Sequence, residues 1–384
     1  MLKLKPKIYF VANVEFAVNA FLLNHLQKLS HYYDLTVIVN TKDTFFLVKQ
    51  GLDVKVIDLK ISRNISLASD FYCLIYLLYL FTKNRPAAVH SITPKSGLLA
   101  MIASFFSGVP LRIHTFTGQV WVNKVGFSKA LLKSLDALIG LLASFIIVDS
   151  GSQQEFLIQQ KIVSKKKSVV FGSGSVSGVN LKKFVASKKE FIATRRELSI
   201  PTDAFVFIYL GRLHEEKGVL DLAAAFQKIQ DDSAYLIFVG PDDCGLAEQI
   251  KLLDKSDINR IRFIGLTSMP ERYLAASNTL CLPSYREGFG NVIIEAAAIG
   301  VPAIASNIYG ISDAIVNQKT GLLNAPKDVN AITDAMQYFL ENPKVVKKYG
   351  CAAKKRVRAE FDANMMSESW LNFYQTKFIE LAKM

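Results

Sequence analysis

The chain has 384 residues, of which 51% are hydrophobic and 21% charged, with 46 basic and 33 acidic side chains and a formal charge of +13. This length suits two ordinary domains, and the hydrophobic content excludes a disordered chain. The charge favours an anionic partner, which is nucleic acid, a phosphorylated small molecule or an anionic membrane surface. The basic residues are scattered, without aromatic residues interleaved at the spacing of a base-stacking surface, so nucleic acid is disfavoured.

The four cysteines, Cys73, Cys244, Cys281 and Cys351, are far apart in sequence and form no CxxC motif. Neither a disulfide framework nor a zinc site is predicted. The amino-terminal apolar run passes into a strand-like segment without a small-residue cleavage site, and no uncharged run reaches the roughly 18 residues of a membrane span. These features predict a reduced, cytoplasmic compartment.

Short β-rich segments alternate with longer helical patterns through the first half of the chain. The predicted strands are Lys7 to Ala12, Leu35 to Asn40, Val54 to Ile57, Ala88 to Ile92, Leu111 to Phe116 and Phe145 to Asp149. This alternation is typical of a parallel sheet covered by helices on both faces. A glycine- and serine-rich stretch, Val169 to Gly178, then predicts a linker.

A second alternation of the same kind follows the linker. Its predicted strands are Phe205 to Leu210, Ala234 to Gly240, Ile261 to Ile264, Thr279 to Pro283 and Pro302 to Ser306. We therefore predict a first α/β domain at residues 1–182, a second at 183–365, and a C-terminal helix at 366–384 that packs back on the first domain. Ligands of such folds bind at the carboxyl ends of the strands.

A glycine and two cations follow the first strand of the second domain. Gly211 allows close approach of a ligand to the backbone, and Arg212 and Lys217 lie beside the start of the next helix, whose free N–H groups favour an anion. The pattern indicates a phosphate or diphosphate site, and the alternative is a turn with surface charges. The chain lacks GxxxxGK[ST], and no GxGxxG follows its first strand, so a P-loop enzyme and an NAD-dependent dehydrogenase are disfavoured.

The stretch REGFGNVIIE, residues 286–295, carries two carboxylates around a glycine turn. Gly288 and Gly290 disfavour one continuous helix, so Glu287 is predicted on the turn and Glu295 inside a helix that begins near Asn291. Glu287 could bind sugar hydroxyls and Glu295 a ribose. The alternatives are an acid that complements the helix dipole and an acid on a solvated helix face.

Two histidines of the first domain are predicted at strand ends. His114 could donate a hydrogen bond to a reacting sugar, and His90 is followed by Lys95, which could meet an anionic acceptor. The histidines show no metal-ligand spacing and the chain has no Asp-x-Asp, so neither a metal nor a cofactor is predicted. Arg212, Lys217 and helix N-termini would then neutralise the negative charge of a diphosphate.

The motifs GRLHEEKG (211–218), PSYREGFGNVIIEAAAIGVPAIAS (283–306) and GLL (321–323) together resemble the donor domain of glycosyltransferase family 4. The resemblance reaches the first half through HSITPKSGLLA (90–100) and RIHTFTGQVW (112–121). Members of this family are retaining enzymes of the GT-B fold. The resemblance implies two Rossmann-like doubly wound domains that face an interdomain cleft, the first for the acceptor and the second for the nucleotide-sugar donor.

The resemblance also implies roles for individual residues. Arg212 and Lys217 would hold the donor diphosphate, Glu287 would contact the transferred sugar, and Glu295 would bind the ribose. His114 would lie near the reacting sugar. The implied donor-binding residues are Gly211, Arg212, Lys217, Glu287, Gly288, Phe289, Gly290, Asn291 and Glu295, and the implied catalytic residues are Glu287, His114, Arg212 and Lys217.

The chain departs from the family pattern after its first strand. Many members carry a glycine pair there, whereas this chain reads Ala12-Asn13-Val14-Glu15. The departure leaves Asn13 and Glu15, together with Lys95, as candidates for contacts with the acceptor.

Family members that share the motifs of the first half resemble bacterial enzymes of surface polysaccharide and lipopolysaccharide synthesis. The sequence therefore predicts metal-independent, retaining transfer of a hexose or N-acetylhexosamine from a nucleotide-diphosphate-sugar, UDP-linked, to a polyprenyl-diphosphate-linked glycan. The leaving phosphate would act as the base, and neither glutamate would need an unusual pKa. The alternatives are a UDP-sugar epimerase or hydrolase of the same fold and a non-catalytic nucleotide-sugar-binding subunit.

An anionic, membrane-bound acceptor would also explain the charge of the chain. Lys124, Lys129 and Lys133 accompany an apolar stretch that continues to Ile139, which is the pattern of a basic amphipathic surface on a membrane. The alternative is a core helix with solvated lysines. We therefore predict a cytoplasmic protein that lies peripherally on the inner face of the cytoplasmic membrane.

Overall fold

A computed structural model describes residues 5–62, 66–253 and 260–383. The chain forms two compact units, one of Met1–Ser177 with Ala363–Met384 and the other of Gly178–Asp362. We refer to them as unit 1 and unit 2. Each unit contains its own parallel sheet with helices on both faces.

Unit 1 is built on a seven-stranded parallel sheet. Its strands are β1 (Lys7–Val11), β2 (Asp34–Val39), β3 (Lys55–Asp58), β4 (Ala88–Ile92), β5 (Leu111–Phe116), β6 (Phe145–Val148) and β7 (Ser168–Val169). The spatial order is β3-β2-β1-β4-β5-β6-β7, so the order reverses between β1 and β4. The strands are apolar along most of their length because both faces of the sheet are covered.

Among the described residues of unit 1, six α-helices precede the second unit in the chain. They are α1 (Glu15–Phe21), α2 (Leu23–Leu29), α3 (Leu67–Asn84), α4 (Pro94–Phe106), α5 (Gly126–Leu142) and α6 (Gly151–Gln159). Helices α3, α4 and α5 pack in that order, and their buried residues form one core. Helices α1 and α2 contribute to a separate core. Among the described residues, no helix is both long enough and apolar enough to span a membrane.

Unit 2 contains a six-stranded parallel sheet in the order β10-β9-β8-β11-β12-β13, which reverses between β8 and β11. Its strands are β8 (Phe205–Leu210), β9 (Ala234–Val239), β10 (Ile261–Ile264), β11 (Thr279–Leu282), β12 (Ala303–Ser306) and β13 (Gly321–Asn324). Its helices are α7 (Lys188–Glu197), α8 (Val219–Gln227), α9 (Leu246–Leu253), α10 (Pro270–Ala275), α11 (Asn291–Ile299), α12 (Ile311–Ala314), α13 (Val329–Glu341) and α14 (Pro343–Glu360).

Most predicted strands differ from the structure by at most one residue at either end, and two strands were missed. Val169 belongs to β7, so the linker predicted from Val169 begins too early. A strand of two residues leaves no alternation for a sequence pattern to reveal. The second missed strand, β13, contains the GLL motif and is only half-buried along most of its length.

The last helix, α15 (Ala363–Ala382), belongs to unit 1. Trp370 lies between two buried imidazoles, with ring centroids 4.2 Å from His25 and 4.7 Å from His90. The hydroxyl of Tyr374 is 2.6 Å from Nδ1 of His90, and Thr115 Oγ1 is 2.7 Å from Nε2 of the same ring. These contacts join α15 to β4 and β5 through the core that also contains α1 and α2.

We expect Trp370→Ala to lower the free energy of unfolding of unit 1 by about 3 to 5 kcal/mol, because it leaves a large cavity between two rings. Ile379→Ala on the same helix is the control, since that side chain is 56% exposed. Urea unfolding followed by circular dichroism measures both variants with a signal that does not depend on Trp370. Equal stability of the two variants would contradict a structural role for the stack.

Candidate functional site

Two loops meet at the point where the strand order of unit 2 reverses. One follows β8 and contains residues 211–218, and the other follows β11 and contains residues 283–290. Gly218 has a φ of +68°, and a Cβ on it would lie 2.2 Å from the carbonyl oxygen of Pro283. Only glycine permits this approach. Open α/β sheets bind ligands at such a reversal, so these loops form the candidate site.

Lys217 and Glu287 form an ion pair between the two loops. The Lys217 Nζ lies 2.6 Å from Glu287 Oε1, and the side chains are 22% and 16% exposed. Ser284 Oγ donates a second hydrogen bond to the same carboxylate oxygen at 2.9 Å. A cation and a carboxylate are therefore held together at the strand-order reversal of unit 2. Ser284 was not assigned from the sequence, where only its position before Glu287 could have indicated it.

Arg212 lies on the loop after β8 with an exposed side chain. A hydrogen bond fixes its backbone, because the buried Tyr209 hydroxyl donates to the Arg212 carbonyl oxygen at 2.7 Å. A Cβ on Gly211 would lie 2.9 Å from the same hydroxyl. The loop thus has a fixed backbone and a guanidinium that solvent or a ligand can reach.

The predicted turn and helix start after β11 are confirmed in unit 2. Gly290, with φ +73°, precedes α11, which begins at Asn291. Phe289 is buried and its ring lies 5.4 Å from that of Phe361, so its side chain anchors the turn in the core. A Cβ on Gly310 would lie 2.2 Å from the Gly288 carbonyl oxygen. The packed turn fixes the position of the amino-terminal end of α11, whose helix dipole favours an anion.

Glu295 lies on α11 with a partly buried side chain. Desolvation raises its pKa to about 7, Lys183 opposes that shift, and Glu271 adds to it. The mechanism predicted from the sequence needs no unusual pKa at either glutamate, yet burial raises the pKa of Glu295. Burial decides the pKa of this carboxyl, and burial depends on what packs against α11 rather than on its sequence.

The three candidates for acceptor contacts follow β1 and β4, where the strand order of unit 1 reverses. Asn13 is only 7% exposed, and in the described part of the chain its Oδ1 has no hydrogen-bond partner. Glu15 accepts a hydrogen bond from Thr41. Lys95 lies 2.6 Å from Asp70, so its charge is already matched by a carboxylate.

His114 lies inside β5 rather than at its end. It is buried, its Nδ1 is 2.9 Å from Ser91 Oγ, and desolvation lowers its pKa to about 3. A Cβ on Gly97 would lie 2.4 Å from Cε1 of this ring, so the glycine in α4 makes room for the imidazole. His114 is therefore neutral at neutral pH. It can exchange hydrogen bonds but adds no positive charge.

His90, predicted at a strand end, lies in the middle of β4, where Tyr374 and Thr115 contact both ring nitrogens. It therefore serves the packing of α15.

Within residues 5–62, 66–253 and 260–383, no three His, Cys, Asp or Glu side chains converge in a possible metal site.

Family models match both halves of the chain. The model described as "Glycosyl transferase 4-like" matches residues 7–138, and the one described as "Glycosyl transferases group 1" matches residues 190–356. An Escherichia coli relative, UDP-Gal:alpha-D-GlcNAc-diphosphoundecaprenol alpha-1,3-galactosyltransferase, is 30% identical over 280 residues, which are 71% of either chain. The chain belongs to glycosyltransferase family 4. The capsular polysaccharide biosynthesis glycosyltransferase CapM of Staphylococcus aureus is 29% identical to this transferase over 87% of it and 90% of CapM.

Solved structures confirm the GT-B fold of this glycosyltransferase. Anabaena HepE in complex with UDP and glucose matches with a TM-score of 0.81 and 18% identity, over 96% of this chain and 99% of HepE. Sucrose-phosphate synthase from Thermosynechococcus elongatus matches with a TM-score of 0.79 and 21% identity, over 98% of this chain and all of that chain. At these identities the likeness concerns the fold alone.

The raised pKa of Glu295 gives the transferase a testable pH dependence. A carboxyl whose folded pKa is about 7, against an ordinary 4.5, contributes stability at low pH that is lost as pH rises to 7 and above. Glu295→Gln is neutral throughout. We expect the stability of this variant relative to the wild type to increase by about 2 to 3 kcal/mol between pH 5 and pH 8.

Urea unfolding at both pH values, followed by circular dichroism, measures this difference. Glu248→Gln is the control, because that carboxylate lies on the exposed side of α9. A Glu295→Gln difference that does not change with pH would show that Glu295 has an ordinary pKa.

Proposed function

We propose that this transferase moves a hexose or N-acetylhexosamine from a UDP-sugar to a hydroxyl of a polyprenyl-diphosphate-linked glycan, with retention of configuration. The ion pair between Lys217 and Glu287 carries the proposal. It holds a cation suited to a diphosphate beside a carboxylate suited to sugar hydroxyls, at the strand-order reversal where α/β sheets bind ligands. Neither charge alone would indicate a nucleotide-sugar.

The donor would lie along the two loops of unit 2. Its diphosphate would contact Lys217, Arg212 and the amino-terminal end of α11, while Glu287 would accept hydrogen bonds from hydroxyls of the sugar. Glu295 would accept the ribose hydroxyls. UDP as the nucleotide is supported by the UDP bound to HepE and by the UDP-Gal in the name of the E. coli relative.

Catalysis would depend on stabilising the departing diphosphate. Arg212 and Lys217 oppose the negative charge that develops as the bond to the sugar breaks. The leaving phosphate takes the proton of the acceptor hydroxyl, so no protein base is required. His114 would hydrogen-bond to the reacting sugar through Nε2, in the tautomer in which its Nδ1 accepts from Ser91.

A lipid-linked acceptor and a role in polysaccharide synthesis are supported by the names of the relatives. The E. coli enzyme is named for transfer to a sugar on diphosphoundecaprenol, and CapM for capsular polysaccharide biosynthesis. Asn13 is the best placed candidate of unit 1 for such an acceptor, because its buried carbonyl oxygen lies at the strand-order reversal without a protein partner in the described residues.

We expect Lys217→Ala and Glu287→Ala each to lower kcat/KM at least about 100-fold, as loss of one leaving-group or substrate contact does. A panel of UDP- and GDP-sugars with short polyprenyl-diphosphate glycans, scored for nucleotide release and lipid mass, measures transfer. Lys228→Ala is the control, since this lysine lies on the surface after α8 and contacts Asn330. Wild-type turnover by both site variants would exclude the assignment.

The same assay separates the alternative functions. An epimer formed without acceptor would indicate an epimerase, and free sugar would indicate a hydrolase. Tight UDP binding without transfer to any lipid-linked glycan would indicate a nucleotide-sugar-binding subunit.

Peripheral contact with a membrane is supported by one surface of unit 1. On α3, Phe71, Ile75 and Tyr79 form a stripe at helical spacing and are 65%, 48% and 57% exposed. Tyr72 beside them is 64% exposed. Phenylalanine and tyrosine side chains in such positions suit the interface between lipid and water.

Charge favours a membrane contact in the same part of unit 1. Residues 66–142, which include α3, α4 and α5, contain seven basic and two acidic side chains. One of the acids, Asp136, is buried and accepts a hydrogen bond from Trp121. Lys124 and Lys129 are exposed beside Phe127, which is 82% exposed. This combination fits an anionic bilayer.

We expect the Phe71→Ser/Ile75→Ser variant to bind vesicles of phosphatidylglycerol and phosphatidylcholine at least about tenfold more weakly, because it removes apolar area from the contact. The matched control is Leu266→Ser/Met269→Ser, whose side chains are 81% and 49% exposed in unit 2. Co-sedimentation measures binding. If the two variants bind equally, α3 is not the membrane contact, and an altered oligomeric state of the α3 variant would instead indicate self-association.

A further inference from the structure

A second ion pair joins the same two loops of unit 2, directly beside the first. Arg286 Nη2 lies 2.9 Å from Glu216 Oε2, and the side chains are 22% and 27% exposed. The adjacent residues Glu216 and Lys217 thus face the adjacent residues Arg286 and Glu287. Along the first loop a negative residue precedes a positive one, and along the second loop a positive residue precedes a negative one. Each residue therefore lies opposite a residue of the other charge, and both pairs can form at once.

The backbone beside this second pair is also joined. The Tyr285 N–H donates to the Glu216 carbonyl oxygen at 2.9 Å, and the Tyr285 hydroxyl donates to Asp221 of α8 at 2.6 Å. Glu216 is therefore held to the loop after β11 by its carbonyl oxygen and by its carboxylate. A shift of either loop would break both contacts.

The two pairs face different demands when a donor binds. When a donor binds, Lys217 must turn from Glu287 to the diphosphate, and Glu287 must turn from Lys217 to the sugar. Their mutual contact is then lost in part or in full. The proposed donor contacts include neither Arg286 nor Glu216, whose charges meet each other through Nη2 and Oε2, and among the described residues the buried Nε of Arg286 has no hydrogen-bond partner. Their pair can therefore persist through the exchange and preserve the spacing of the two loops.

We propose that Glu216 and Arg286 are positioning residues that hold Lys217 and Glu287 in register on the donor. The inference rests on the function proposed above. It adds Glu216 and Arg286, which act on the donor only through Lys217 and Glu287. A partly exposed ion pair contributes little to global stability, so its effect should appear in donor kinetics rather than in unfolding. Small displacements of groups that contact substrate reduce rates strongly.

Reversal of each charge, alone and together, tests the proposal. Glu216→Arg and Arg286→Glu place like charges opposite each other, and we expect each to lower kcat/KM for the donor about tenfold or more, with most of the loss in kcat. In the double variant the pair is restored with opposite polarity. We expect its kcat/KM to return to within about threefold of the wild type, while the melting temperature of all three stays near the wild-type value.

A matched control is the pair of Lys251 and Glu248 on α9, whose side chains are 55% and 74% exposed. The same single and double charge reversals there should leave donor kinetics unchanged. UDP affinity, measured by calorimetry for every variant, provides a readout that requires no acceptor. We expect UDP to bind the two single site variants within about threefold of the wild type and the double variant equally well, because most of the loss lies in kcat.

Two results would overturn the proposal. Wild-type kinetics in both single variants would show that the pair positions nothing. A double variant as impaired as the single ones would show that Arg286 contacts the donor itself, since moving the cation across the pair would then not restore function. Failure of the proposed function looks different, because the wild type would then transfer sugar from no donor to any lipid-linked glycan.

Discussion

The close approach of Gly218 to the Pro283 carbonyl oxygen is the constraint on which the donor site depends. It follows from the position of β8 beside β11, which are consecutive in the sheet but separated by two strands and their helices in the chain. A side chain at residue 218 would separate the loops. Without that contact, Lys217 and Glu287 could not lie within hydrogen-bonding distance of each other.

The candidate site of unit 2 and the core of unit 1 hold ionisable groups in different ways. In the loops after β8 and β11 the charges lie in pairs, and a diphosphate and a sugar can compete for the charges of Lys217 and Glu287. In unit 1 the histidines His25, His90 and His114 are buried, and desolvation lowers the pKa of each imidazole. Neutral rings can stack on Trp370 and bond to hydroxyls, which suits packing and hydrogen bonding rather than charge stabilisation.

The longer strands and the start of α11 were predictable from the sequence. A very short strand and the contacts of individual charged side chains were not. The strands of both sheets follow from continuous apolar runs, since strands covered on both faces need apolar side chains throughout. The start of α11 at Asn291 follows from the glycines before it. The two-residue strand β7 has no pattern to detect, and Lys95 gave no sign of its pairing with Asp70, which lies 25 residues earlier in the chain.

The sequence by itself determined the fold class, the family and the identity of the charged groups, because these depend on residue type and on spacing along the chain. Only the tertiary structure decided which charges meet. Arg286 and Glu216 are 70 residues apart, and nothing in the local pattern of either predicts a contact of 2.9 Å. The raised pKa of Glu295 likewise depends on desolvation, which is a property of the packed surroundings and not of the helix that carries the residue.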